Sequence, residues 1–246
     1  VLQDVTELER LEQSRRDFVA NVSHELKTPL TSMKSYLEAL REGAVSDEAT
    51  AQRFIQVAIQ ETDRMARLVN DLLHLSRLDS KKEPLQFAWT QVEEMLDEVI
   101  DRFNFQLKKR NQQISYEIES QITQVWIDRD KIDQVLDNLV SNAMKYSGES
   151  TTIHITVSKK SDAFIQFEVE DNGVGIPADD LDQIFDRFYR VDKARSRVMG
   201  GTGLGLSISR EIVELHGGQI QITSEINKGT TVRFTISDIA PLHKED

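Results

Sequence analysis

At 246 residues, with 39% hydrophobic and 29% charged side chains, the chain is long enough for one large or two modest domains of ordinary globular composition. A net charge of -12, with basic residues interspersed among acidic ones, argues against nucleic acid as a partner, because phosphate backbones are held chiefly by clustered Lys and Arg. The absence of cysteine excludes disulfides and thiolate chemistry, and five scattered histidines make a structural metal site improbable.

Residues 1–42 read as one helix, about 60 Å long at about 1.5 Å per residue. Val5, Leu8, Val19, Val22, Leu26, Met33, Tyr36 and Leu40 recur by threes and fours, as the seam of a packed helix pair requires. His24 lies two places from both Val22 and Leu26. A rotation of about 100° per residue turns its imidazole away from the seam, and Thr28, one turn later, shares that outward stripe. Pro29 lacks the amide donor of a helix interior, so a bend is expected beside His24. Taken alone, this describes a surface histidine near a helix break. The polar residues Glu12 and Arg15 at seam positions weaken the packing of the leading segment, a candidate bistable element.

After a break at residues 43–47, a second helix is expected to about Asp79, with Phe54, Ala58, Met65, Leu68, Leu72 and Leu75 on one face. One hairpin cannot cover its apolar faces, so pairing of two copies into a four-helix bundle is expected, hence a homodimer. The alternative is a hairpin covered only by the rest of the chain.

Charge and Pro84 mark a linker at residues 81–85, beyond which the pattern becomes mixed α and β. A helix is expected over about Val92 to Arg110, then strands at Gln113 to Ile118 and Val125 to Ile127. Alternation at Ile153, Ile155, Val157 and again at Ile165, Phe167, Val169 predicts two more strands. A helix from near Leu204 and strands around Ile220 to Thr223 and Thr231 to Ile236 complete a mixed sheet covered by helices on one face, an α/β sandwich. Residues 241–246 read as a frayed tail.

Three motifs in this second region carry chemistry. In DNLVSNAMKYS, Asn138, Asn142 and Lys145 share a helix face, where amide oxygens suit magnesium and the lysine suits phosphate. A solvated polar face is the plainer reading of that motif alone. In DNGVGIP, Asp171 ends a strand and can accept from the exocyclic amine of adenine, while Gly173 and Gly175 permit close ligand approach beside Ile176. In GGTGLGL, Gly201, Thr202, Gly203, Leu204 and Gly205 lead into a helix whose N-terminal amides favour phosphate, although a glycine cluster can be only a flexible loop. No P-loop string or convincing dinucleotide fingerprint is present.

FVANVSHELKTPL, from Phe18 to Leu30, resembles the phosphoacceptor box of sensor histidine kinases. The three later motifs, in their order, resemble the N, G1 and G2 boxes of the Bergerat-type ATP-binding fold shared by histidine kinases, gyrase, Hsp90 and MutL. FDRFYR, at residues 185–190, resembles the kinases' F box. The resemblance implies that His24 is phosphorylated by Mg-ATP and passes the phosphoryl group to an aspartate of a response regulator. Glu25 would then accept from one ring nitrogen, and Thr28 would orient the water that dephosphorylates the partner. It also implies that Asn142 binds magnesium, Lys145 and Arg190 meet phosphate, Tyr146 flanks the base, Asp171 recognises adenine, and the stretch from Arg190 to Gly203 forms a lid.

On this reading residues 1–80 are a dimerisation and phosphotransfer hairpin, with 1–14 an incoming signalling helix, and residues 86–240 are the catalytic ATP-binding domain. VLQDVTELE, SYLEALREGA and RFYRVDKARSR resemble Gram-positive members that span the membrane and regulate cell-wall metabolism, with DVTE like the exit of an upstream PAS sensory domain. No apolar stretch approaches the roughly 20 residues of a membrane span, and VLQDVTELE lacks a signal-peptide layout. The chain is therefore expected to be the cytoplasmic part of a membrane protein. The rivals are an ATPase clamp of the gyrase and Hsp90 type and a dimeric scaffold that binds nucleotide without turnover.

Overall fold

The computed structural model describes residues 2–43, 46–79, 84–192 and 201–238. It divides into two compact units, Val1–Leu73 with Lys193–Thr202, and His74–Asp192 with Gly203–Asp246. The expected linker lies largely, the frayed tail wholly, and most of the expected lid outside the described residues, as do the side chains of Val5, Leu8 and Arg15.

The first unit is built on α1 (Leu2–Arg41) and α2 (Glu48–Asp79). α1 runs unbroken through Pro29, so the expected bend does not interrupt the helix. Hydroxyls beside the proline bind nearby carbonyls, with Thr28 Oγ1 donating to His24 O at 3.1 Å and Thr31 Oγ1 to Lys27 O at 2.9 Å. Tyr36 packs on Phe54 with ring centroids 5.0 Å apart, and Leu68 is buried. Glu12 is exposed and pairs with Arg16 one turn on.

The predicted seam needs a second correction. Val19 is exposed, as are Leu30 (57%) and Leu37 (55%), which the seam omitted. Their separations of eleven and seven residues keep them on one side of α1, while Met33 and Tyr36 meet α2. Ile55, Ile59, Val69 and Leu73 are exposed on α2. The hairpin thus carries two apolar stripes, one covered and one open.

The first strand of the second unit is one that alternation did not reveal, β1 (Phe87–Gln91), paired antiparallel with β3 (Gln124–Asp128) in a two-stranded sheet. Only Thr90 of β1 is buried, so no period-two signal exists to be read. Between them lie α3 (Val92–Lys109) and β2 (Gln113–Ile118). α4 (Arg129–Tyr146), β4 (Thr152–Ser161) and β5 (Phe164–Asp171) follow. α5 (Gly205–Leu215), β6 (Ile220–Glu225) and β7 (Gly229–Ser237) close the unit.

The main sheet has the order β2-β4-β5-β7-β6. β2 and β4 are parallel and the other pairs antiparallel. Alternate residues form the core face: Ile153, Ile155 and Val157 of β4, Ile165, Phe167 and Val169 of β5, and Val232, Phe234 and Ile236 of β7. Phe167 and Phe234, directly paired across the strands, stack with centroids 4.9 Å apart. Buried residues of α3, α4 and α5 supply the other half of the core, at about 1.5–3 kcal/mol for each large apolar side chain.

α4 is anchored at both ends. Asp128 caps its start, accepting from Lys131 N at 3.3 Å and from Gln86 N at 2.8 Å. The Asp128 amide in turn donates to His216 Nε2 at 3.1 Å, while His216 Nδ1 lies 2.8 Å from Ile212 O. That pair of partners requires a neutral ring carrying its proton on Nδ1, and burial lowers the His216 pKa against the opposing pull of the Ile212 carbonyl and Asp128. At the far end, buried Gln112 donates through Nε2 to Met144 O and Gly148 O at 3.1 and 3.0 Å. These contacts fix the helix that carries the first nucleotide motif.

Candidate active site

In the first unit, His24 projects from α1 with 68% of its side chain exposed. Its Nδ1 lies 4.0 Å from Glu25 Oε1, beyond hydrogen-bond reach but on the side of the ring that the carboxylate flanks. Nε2 is the ring nitrogen farther from that carboxylate and the natural nucleophile of this arrangement. Thr28 lies one turn away, half-buried, its hydroxyl donating to the His24 carbonyl. The sequence missed a fourth participant, Arg64 of α2, whose Nη2 donates to Glu25 Oε2 at 2.6 Å.

In the second unit, α4 is the spine on which two of the three motifs converge. Its C-terminal end meets the DNG turn, where Val174 N donates to Tyr146 O at 3.3 Å. Asp171 sits at the end of β5, in register with Ile153 of β4 and Thr230 of β7. Gly173 N donates to Asp171 Oδ1 at 2.8 Å. Burial raises the Asp171 pKa, opposed first by hydrogen bonds from the Gly173 and Thr230 backbone.

Gly173 packs too closely beside this carboxylate for any side chain. A Cβ there would lie 2.7 Å from Asp171 Oδ1, 2.9 Å from Ser147 Oγ and 2.9 Å from Tyr146 O. The buried Ser147 hydroxyl faces the same spot, and its motif gave it no role. A carboxylate acceptor beside a hydroxyl suits the edge of a purine with an exocyclic amine. Gly175 has φ +71°, and a Cβ there would lie 2.1 Å from Glu225 O, so only glycine lets this loop lie against the β6–β7 hairpin. Ile176 N donates to Ser224 Oγ at 2.8 Å, a second anchor.

Asn138, in the middle of α4, reaches the start of α5. Its Nδ2 donates to Gly205 O at 3.3 Å and Ser209 Oγ at 3.4 Å, so in this structure it docks the third motif. Gly205 admits it closely, a Cβ there lying 3.2 Å from Asn138 Oδ1. Gly203, at φ +77°, accepts through its carbonyl from Phe188 N at 2.8 Å, joining the FDRFYR segment to the α5 entry. Leu204 is fully buried beneath that entry. Asn142, Lys145, Tyr146 and Arg190 are half-buried.

The third motif is divided between the units. Gly201 and Thr202 group with the first, where Thr202 Oγ1 donates to Asp71 Oδ2 at 2.6 Å, and Gly203, Leu204 and Gly205 belong to the second. Among the described residues no group of three or more His, Asp or Glu stands ready to hold a metal by itself. Nor is any described helix long and apolar enough to cross a membrane.

Residues 127–239 match the family described as histidine kinase-, DNA gyrase B- and HSP90-like ATPase, and residues 14–81 match the His Kinase A (phospho-acceptor) domain. Among curated proteins, the sensor histidine kinase WalK of Bacillus subtilis is 50% identical over 239 residues, 96% of this chain and 39% of that protein. A sensor protein kinase WalK of Staphylococcus aureus is 47% identical over 238 residues, 96% of this chain and 57% of the relative. The chain thus spans well under two thirds of the length of these relatives.

Among solved structures, histidine kinase ThkA in complex with response regulator protein TrrA aligns with a TM-score of 0.74 at 27% identity, covering 95% of this chain and 66% of that one. The catalytic domain of ThkA aligns at 33% identity with a TM-score of 0.55, over 62% of this chain and 96% of that one. A helical region of phosphoacceptor type followed by a mixed-sheet ATPase domain, on these likenesses, settles the family: the chain belongs to the sensor histidine kinases.

Proposed function

We propose that the chain transfers the γ-phosphoryl group of ATP to His24 and then to an aspartate on a response regulator. The observation that carries this reading is the exposed His24 ring, flanked at Nδ1 by Glu25 on the outward side of α1. A neutral imidazole is nucleophilic without a strong base, and its phosphoramidate keeps a high transfer potential. Asp171 and Ser147 would recognise adenine, Tyr146 would flank the base, and the α5 entry at Gly203, Leu204 and Gly205, with Lys145, Arg190, Gly201 and Thr202, would hold the phosphates. Asn142 would hold a magnesium ion with phosphate oxygens as further ligands, the usual manner for that ion. The ion would offset phosphate charge.

The open stripe of Val19, Leu30 and Leu37 supports a second copy of the hairpin as its cover, giving a four-helix dimer. Thr28 is assigned to orienting the water that removes phosphate from the regulator, making the protein both kinase and phosphatase. The longer relatives support a full-length sensor held in the membrane, with upstream sensory segments and this part in the cytoplasm. Residues 1–14 would bring in the signal, residues 81–85 would link the two domains, and the stretch from Arg190 to Gly203 would close over nucleotide.

The chain incubated with Mg-ATP labelled at the γ-phosphate tests the reading. Label lost in acid, kept in alkali and absent from His24→Ala is expected. Free phosphate without labelled protein would instead support an ATPase clamp, and nucleotide binding with neither product a scaffold.

A further inference from the structure

Arg64 is only 5% exposed, on the face of α2 that also buries Leu68 one turn later. An apolar side chain there would avoid the cost of desolvating a guanidinium. The charge is instead matched by two carboxylates. Glu25 Oε2 accepts from Nη2 at 2.6 Å, and Glu61 Oε2 lies 3.8 Å from Nη1 without a hydrogen bond of its own. A buried charge between two acids, directly behind the exposed His24, is a costly way to join two helices unless the carboxylate it holds has a further task.

We propose that Arg64 is a positioning residue for phosphoryl transfer at His24, holding Glu25 Oε2 so that Oε1 stays on the Nδ1 side of the imidazole. The inference rests on His24 being the phosphoacceptor. Once Oε1 closes from 4.0 Å to hydrogen-bond reach of Nδ1, the ring carries its proton there and keeps a lone pair on Nε2. In the transfer, that lone pair forms the Nε2–P bond as the bond from phosphorus to the bridging oxygen breaks. ADP leaves with that electron pair, and the Nδ1 proton passes to Glu25 Oε1, so the phosphorylated ring ends neutral. Glu61 offers the guanidinium a second partner one turn along α2. A shift of Arg64 toward it would release Glu25 and lower the rate without moving either helix.

The test uses the full chain with Mg-ATP and five proteins: wild type, Arg64→Met, Arg64→Lys, Glu25→Gln and the double variant Glu25→Gln/Arg64→Met. Arg64→Met is expected to lower the initial rate of alkali-stable labelling about 10- to 100-fold, a share of what a positioned base contributes. Arg64→Lys should recover part of that loss. The double variant should label as slowly as Glu25→Gln alone, since Arg64 acts only through Glu25. Nitrogen-15 NMR of His24 should show the Nδ1–H tautomer dominant in wild type and diminished in Arg64→Met, with thermal melts showing that each variant is folded.

A rate within twofold of wild type in Arg64→Met would overturn the proposal. So would a further fall on adding Arg64→Met to Glu25→Gln, the mark of a structural role. If Arg64→Met does not fold, the lysine variant decides: an unchanged tautomer with a reduced rate would also overturn it. Wild type that acquires no acid-labile label would sink the phosphoacceptor reading itself, a distinct result.

Discussion

Asp171→Asn separates recognition from folding. The carboxylate is desolvated at the end of β5, and the backbone amides of Gly173 and Thr230 offset part of that cost. Asparagine has the same shape but only one acceptor oxygen. If that oxygen keeps the 2.8 Å bond from Gly173 N, the amide NH2 is turned toward the adenine amine and opposes donor with donor. Losing a hydrogen bond to a charged acceptor costs about 1.5–3 kcal/mol, which is about 10- to 150-fold in Kd. Stability should respond much less, because relief of the buried charge and loss of one backbone bond have opposite signs. At about 2–4 °C per kcal/mol for a chain of this size, the melting temperature should move by no more than a few degrees. Calorimetric titration with a non-hydrolysable ATP analogue, beside thermal melts, reads both. A folded variant that binds within twofold of wild type would refute the assignment of Asp171 to adenine.

The His216 pKa lies below its ordinary value, so the unfolded chain binds the proton more readily and the ring's contribution is fully present above about pH 6.5 and lost as pH falls below it. Asp133, Asp137 and Asp171 have raised pKa values and act in the opposite sense, so the comparison is with His216→Gln. Urea melts of wild type should weaken more than those of the variant between pH 7.5 and 5.5, and parallel curves would contradict the buried neutral ring. Gly175→Ala should cost well over about 1 kcal/mol in urea melts and weaken nucleotide binding, because its Cβ would lie 2.1 Å from Glu225 O at a positive φ; a neutral result would mean the hairpin yields. Leu30→Glu with Leu37→Glu should convert a dimer to monomers in sedimentation velocity while leaving nucleotide binding intact; an unchanged dimer would place the interface elsewhere.

What the sequence revealed follows from where a periodic signal existed. Ile153, Ile155 and Val157 alternate because one face of β4 is buried, and β5 and β7 repeat the pattern. β1 escaped because only Thr90 along it is buried. On α1, a single seam was read where the helix carries two stripes, since Leu30 and Leu37 repeat as regularly as Met33 and Tyr36 do. The motifs marked loops that must approach a ligand closely, but not the groups supporting them from afar in sequence. Arg64 is 39 residues from Glu25, and Ser224 is 48 from Ile176. Asn138, read as part of the ligand face, spends its amide on Gly205 and Ser209, a contact 67 residues away that no local spacing discloses.

Of all these measurements, mass spectrometry under alkaline conditions, after a short incubation with Mg-ATP, bears most directly on the central claim. Fragment ions should place a single phosphoryl group on His24, and phosphorus-31 NMR should identify the Nε2 isomer. Phosphate on any other residue, or on Nδ1 of His24, would contradict the account.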